Sequence, residues 1–134
     1  MSWELTNLVL AAALAGLIWT VQLVLYPLFA LVGASEWQPY GAEHRRRITW
    51  VAAPLMLSSV GVAIVLALQE PSRLSALNAA LAVGVFVLTG LVFAPLHGRL
   101  ERQAGQRAIS RLVRANWLRT IAWTAQVVCA AALL

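Results

Sequence analysis

The sequence predicts an all-α integral membrane protein: a four-helix bundle of up-down topology, in one domain covering residues 1–134, with both termini on the outer, periplasmic side. Three observations predict it. Of 134 residues, 61% are hydrophobic and only 11% are charged, too few charges to clothe a water-soluble domain of this size. Long uncharged spans occupy most of the chain. Nine of the ten arginines fall into two short intervals between those spans, Arg45 to Arg47 and Arg99 to Arg119.

The elements follow in order. Between Glu4 and Glu36 the only ionisable side chain is Tyr26, and further uncharged spans run from Ile48 to Gln69, Leu74 to Leu96 and Thr120 to Leu134. A helix crossing the hydrocarbon needs about 20 apolar residues, so the first three spans suffice. The fourth reaches that length only by starting near Ala115 and taking in Asn116 and Arg119. The expected helices are therefore about 5–33, 44–69, 73–97 and 106–134. The first begins Met-Ser-Trp-Glu, without the basic residues of a secretory leader, and is expected to be retained as a helix.

Alternating crossings place loops 1 and 3 on one side with nine arginines, against Arg73 on the other. Positive loops stay in the cytoplasm, which orients the chain. The absence of Lys and Asp from an Ala-, Leu- and Arg-rich composition suggests a GC-rich bacterial gene, so the expected membrane is the bacterial inner membrane, crossed several times. Arginines at membrane borders are accounted for by anionic headgroups, and the net charge of +5 implies no nucleic-acid partner. Trp3 and Trp37 stand where interfacial anchors are expected. Arg107, Arg111 and Arg114 recur on one face of an amphipathic stretch that reads as a membrane-surface extension of helix 4.

Small residues, Ala12 with Gly16, Gly61 with Ala63, Ala80 with Gly84 and Ala130 to Ala132, predict close helix packing in the outer half. The cytoplasmic half is different. Helix 1 carries Trp19, Gln22 and Tyr26, helix 2 starts near His44 and brings Trp50, helix 3 ends with Thr89 and His97, and helix 4 opens with Asn116, Arg119, Thr120, Trp123 and Gln126. Pro27, Pro54 and Pro95 lie at the same depth and predict kinks that splay the helices. Unpaired polar groups are costly in hydrocarbon, so these side chains are expected to meet one another or a ligand in a pocket open to the cytoplasm or inner leaflet.

Each residue also has a plainer role. Trp50 and Trp117 fit an aromatic belt, Gln22 fits interhelical glue, and Cys129 fits a small apolar residue. As a site, His44 and Tyr26 would move a proton. Gln22, Asn116, Arg119, Trp50 and Trp123 would bind the ligand, Arg119 and Asn116 holding an oxyanion and the tryptophans stacking on a flat ring. The five glutamates all lie at borders or in loops, against proton-coupled transport and carboxylate metal centres. No cofactor is predicted; haem held by His44 and His97 is the alternative.

The residues Gln22, Tyr26, Pro27, Tyr40, His44, Asn116, Trp117, Arg119 and Thr120 resemble those of a group of small uncharacterised bacterial four-helix membrane proteins, which is distantly similar to the anthrone-oxygenase-like membrane family. The resemblance implies a four-helix membrane fold and cofactor-independent oxidation of a phenolic polyketide. The expected partners are membrane lipids and a small hydrophobic, quinone-like or phenolic ligand, with a homo-oligomer or larger membrane complex also open. Two functions stand side by side: a protein that binds or oxidises such an amphiphile, and a noncatalytic accessory or assembly subunit.

Overall fold

The computed structural model describes residues 2–96, Gly98 and 106–134, with side chains in the last helix from Ile109 onward. Four helices, α1 (Trp3–Leu31), α2 (Ala34–Gln69), α3 (Arg73–Leu96) and α4 (Gln106–Ala131), account for nearly all of it, and no strand occurs among the described residues. α1, α2 and α3 are each long and apolar enough to cross a membrane. α4, which carries four arginines, does not meet that standard by composition alone.

The burial pattern is that of a protein dissolved in lipid. Leu23, Leu31, Trp50, Leu57, Leu68, Leu91, Leu118 and Ile121 are all more than half exposed, while Asn7, Gln22, Asn78, Asn116, Thr120 and Gln126 are buried. In water this arrangement would forfeit most of the hydrophobic gain; in hydrocarbon it hides the polar groups. Buried positions advance by alternating steps of three and four, as in Asn7, Ala11, Leu14 and Ile18 of α1, or Ser75, Asn78, Ala82 and Val85 of α3. That rhythm keeps one stripe of each helix against its neighbours. α1 and α3 each pack against both α2 and α4.

Caps fix the helix starts. The Ser2 hydroxyl accepts from the Leu5 amide at 3.3 Å, and Ser72 and Ser75 form a reciprocal capping box that starts α3 directly after Pro71. Ser75 also donates to the Glu70 carbonyl at 2.8 Å, closing the turn that sets α2 beside α3.

The prolines act in two ways. In α1 the segment Val21–Leu25 widens into a π turn, and in α3 the segment Thr89–Phe93 does the same. Each π turn ends two residues before a proline, Pro27 or Pro95. A proline ring collides with the carbonyl four residues back and offers no N–H. The extra residue relieves this, because the residue preceding each proline bonds five positions back: Tyr26 N–H to the Val21 carbonyl and Ala94 N–H to that of Thr89. Pro54, by contrast, lies in uninterrupted α-helix, with no π turn ahead of it. Its ring faces outward, as do those of Pro27 and Pro95, so exposure does not explain the difference.

α2 begins at Ala34 rather than near residue 44, which turns most of the expected first loop into helix. Two interactions extend it. Glu43 accepts from Arg46 at 2.7 and 2.8 Å and from Arg47 at 2.6 Å, pairs at helical spacing. Trp37, expected at the interface, is instead buried with its ring edge-on to Phe29 at 5.4 Å. At about 1.5 Å per residue, this 36-residue helix exceeds the hydrocarbon thickness, and its charged N-terminal third extends beyond it.

The glycines also depart from expectation. A methyl group at Gly16, Gly61 or Gly84 would meet no atom, because these residues face outward, as do Ala12 and Ala80. The buried small residues are Ala63 and Ala130, as expected, together with Ala11 and Ala82, each nearly or wholly buried. Four-residue spacing of small residues marks two faces of an Ala-rich helix, and only packing selects the inner one.

Two predictions follow from these contacts. Gly16→Ala, Gly61→Ala and Gly84→Ala are each expected to raise thermal stability in detergent by up to about 1 kcal/mol, whereas Ala63→Leu lowers it by about 1–3 kcal/mol through overpacking. Hydrogen bonds from Arg46 first, then Arg47, hold the Glu43 carboxyl at about 2. Its contribution is therefore complete above the ordinary carboxylate range and fades as pH falls from about 4.5 towards 2. A carboxyl carbon NMR titration should place Glu43 near 2 in the native chain and nearer the ordinary value in the double variant Arg46→Gln, Arg47→Gln.

Candidate functional site

A partly open cavity of about 160 Å³ lies between α1, α2, α3 and α4. Its walls are largely apolar, with Ile18, Met56 and Phe93 prominent, and its polar members are Tyr26, His44, Arg45, Thr49, Thr89 and Arg119. α4 presents Arg119 and Trp123 to it from consecutive turns of one face.

Arg119 is the outstanding member. Only 9% of it is exposed, and its guanidinium carbon sits 4.5 Å from the centre of the Phe93 ring and 5.5 Å from that of Trp123. No carboxylate among the described residues pairs with it; the glutamate ion pairs there are those of Glu43 with Arg46 and Arg47. Its Nε–H meets no acceptor. Ring faces recover part of the cost of burying a cation, but they neutralise no charge and accept no conventional hydrogen bond. The Tyr26 hydroxyl is within electrostatic reach, so a phenol, an imidazole and a guanidinium border the same space.

Thr89 supplies a second unmet group. The threonines at 6, 20, 49, 120 and 124 all donate to the carbonyl four residues back, the usual way a helix absorbs a hydroxyl. Thr89 is the exception among the described residues: its hydroxyl is buried and has no partner, and the residue lines the cavity. It opens the π turn of α3, and Phe93 closes that turn, so one local distortion delivers both to the wall.

The other buried polar residues hold the bundle together. Asn116 donates to Gln22 at 2.7 Å, and Gln22 donates on to the Val113 carbonyl at 3.2 Å, tying α4 to α1. Asn78 donates to Asn7 at 3.2 Å, and Gln126 donates to Ser59 at 2.9 Å. The polar layer expected at the arginine-rich end is therefore joined by further polar contacts elsewhere in the bundle. Asn7 and Asn78 carry no sequence signal beyond falling on the three-and-four stripe.

Of the residues expected to form a site, His44, Tyr26, Arg119 and Trp123 border the cavity. Gln22 and Asn116 do not, being engaged with each other, although Asn116 Oδ1 is buried without a partner. Trp50 is 75% exposed on the outer face of α2, away from the cavity. Trp19, also expected to stack on a ring, is spent on Trp117, edge-on at 5.5 Å, and on a bond from its indole N–H to Thr124. His97 lies outside the described residues, and among those described no three His, Cys, Asp or Glu side chains gather as a metal site. Phe93 and Met56 were not legible as site residues, because they look like ordinary core; Thr89 was legible as a member of the polar layer but not as a ligand-binding residue.

His44 also borders a second space, an open groove of about 740 Å³ along α2. Leu25, Pro39, Tyr40, Ile48 and Val51 line it, with Glu43 and Arg47 at the rim. The imidazole is braced between Tyr40, stacked at 6.4 Å and 13°, and Phe29, edge-on at 5.0 Å. No family model matches the chain, and neither does any curated protein or solved structure.

The Gln22 and Asn116 amides are expected to couple in a double-mutant cycle by about 0.6–1.7 kcal/mol, measured as reversible unfolding in detergent. Additive losses from Gln22→Leu and Asn116→Leu would show that the bond carries no stability.

Proposed function

We propose that this is a multi-pass protein of the bacterial inner membrane, with four crossings in up-down order and both termini outside, that binds the planar, oxygen-bearing head of an amphiphile in the Arg119 cavity. The observation that carries the reading is the buried Arg119, which lines the cavity, pairs with no carboxylate among the described residues and keeps an enclosed Nε–H that meets no acceptor. A ligand oxygen bearing full or partial negative charge supplies what the protein withholds.

The roles then divide by position. Arg119 and Thr89 direct hydrogen bonds at the ligand oxygen, Phe93 and Trp123 hold the guanidinium plane, and Tyr26 and His44 stand where a proton can be exchanged. Quinone-like, phenolic and aromatic-acid heads share this chemistry. The resemblance to anthrone-oxygenase-like proteins would add oxidation of the ligand; the geometry supports binding directly, and turnover can be assayed on the same preparation.

A second reading, an accessory subunit of a larger membrane complex or of a homo-oligomer, is favoured by a separate fact. Three pairs, Gln22 with Asn116, Asn7 with Asn78 and Ser59 with Gln126, bond to one another across helices as structural polar residues would, although Asn7 Nδ2, Asn78 Oδ1, Asn116 Oδ1 and Gln126 Oε1 stay buried without a partner. Arg119 and Thr89 make no such bond across helices and line the cavity, so the ligand-binding reading is preferred.

Native mass spectrometry of the gently extracted protein separates the two. Ligand binding predicts a small molecule retained by the native chain and lost from Arg119→Gln, with the fold intact by circular dichroism. Retention undiminished in Arg119→Gln, or a bound protein partner without any small molecule, would overturn it.

A further inference from the structure

The inner cavity and the open groove share two wall residues, His44 and Ile48. From this junction, and resting on the ligand-binding reading above, we propose that the ligand is a single aromatic ring bearing an oxyanion and one alkyl chain, with the ring held at Arg119 and the chain leaving past His44 into the groove along α2.

Size restricts the head. A cavity of about 160 Å³ is close to the volume that, lined by apolar side chains, admits one benzene ring. A ring with a carboxylate or phenolate fills it, whereas a skeleton of three fused rings exceeds it. Charge selects the oxyanion: Arg119 lines the cavity, and no glutamate or aspartate does so among the described residues. The substrate implied by the distant resemblance, a phenolic polyketide, is thus narrowed to a single-ring head.

The groove accounts for the rest of the molecule. Its floor is made by Leu25, Pro39, Ile48 and Val51, which match a hydrocarbon chain, and its volume of about 740 Å³ exceeds that of the cavity. His44 is held between the stacked ring of Tyr40 and the near-perpendicular ring of Phe29, and so acts as a fixed post where the two spaces share a wall. At the rim, Glu43 is bound to Arg46 and Arg47, which leaves the mouth with excess positive charge, favourable to an anionic head arriving along the membrane border.

The test uses the full chain in phospholipid nanodiscs and a benzoate carrying an octyl-length alkoxy chain with a diazirine at its end. A parallel arm replaces the carboxylate with a phenol to identify which oxyanion is preferred. After irradiation, the label is expected on the segment from Pro39 to Val51. Excess 4-methoxybenzoate, which has the head without the chain, should suppress labelling by about tenfold or more, and Arg119→Gln should do the same. Val51→Trp, which fills the groove but lies outside the cavity wall, should cut labelling of that segment while leaving 4-methoxybenzoate affinity within about twofold.

Label on α3 or α4 that is still suppressed by 4-methoxybenzoate would overturn the chain path while leaving the Arg119 site standing. Labelling by both arms that is indifferent to 4-methoxybenzoate and to Arg119→Gln would overturn the site itself.

Discussion

A guanidinium buried without a carboxylate is the constraint on which the arginine-rich end of this bundle depends. Removing a charged side chain from water costs several kcal/mol even after relaxation, and low-dielectric surroundings repay that cost only through a good partner. Arg119 has the faces of Phe93 and Trp123, which attract a cation yet leave its N–H groups largely unanswered. An arginine serving the fold alone would be expected to reach headgroups or an acid. This one is turned inward, beside a cavity and an unbonded threonine hydroxyl.

The way α3 builds that site is clearest beside α1. Both helices widen into a π turn just ahead of a proline, Val-Gln-Leu-Val-Leu in α1 and Thr-Gly-Leu-Val-Phe in α3. The same relief of proline strain serves two ends. In α1 the turn carries Gln22, which bonds to Asn116 and closes the bundle. In α3 the corresponding position is Gly90, and Thr89 and Phe93 at the ends of the turn face the cavity instead. One bulge is therefore structural and its counterpart helps to open a site.

Much of the fold was legible in composition and charge because lipid leaves few alternatives: uncharged spans of sufficient length must be helices, and three of them are. Arg119 stood out for the same reason, being required inside α4. Other features were hidden because they depend on which face turns inward. The glycine stripes point outward, the helical start of α2 is stabilised by Trp37 packing on Phe29, and Trp50 faces lipid, none of which follows from spacing alone. Asn116 and Gln22 illustrate the deeper difficulty. Two amides at one depth can serve a ligand or each other, and a 2.7 Å bond decides between them only once the helices are packed.

The central claim is that Arg119 carries a hydrogen-bonding capacity reserved for a ligand oxygen. It is tested most directly by nitrogen-15 NMR of arginine-labelled protein in nanodiscs, following the Nε–H resonance assigned to Arg119 during titration with 4-methoxybenzoate. The account predicts a saturable downfield shift of that resonance, absent from the spectra of Arg46, Arg47 and Arg73. An Arg119 resonance that is unmoved at saturating ligand, or already hydrogen-bonded before any ligand is added, would contradict it.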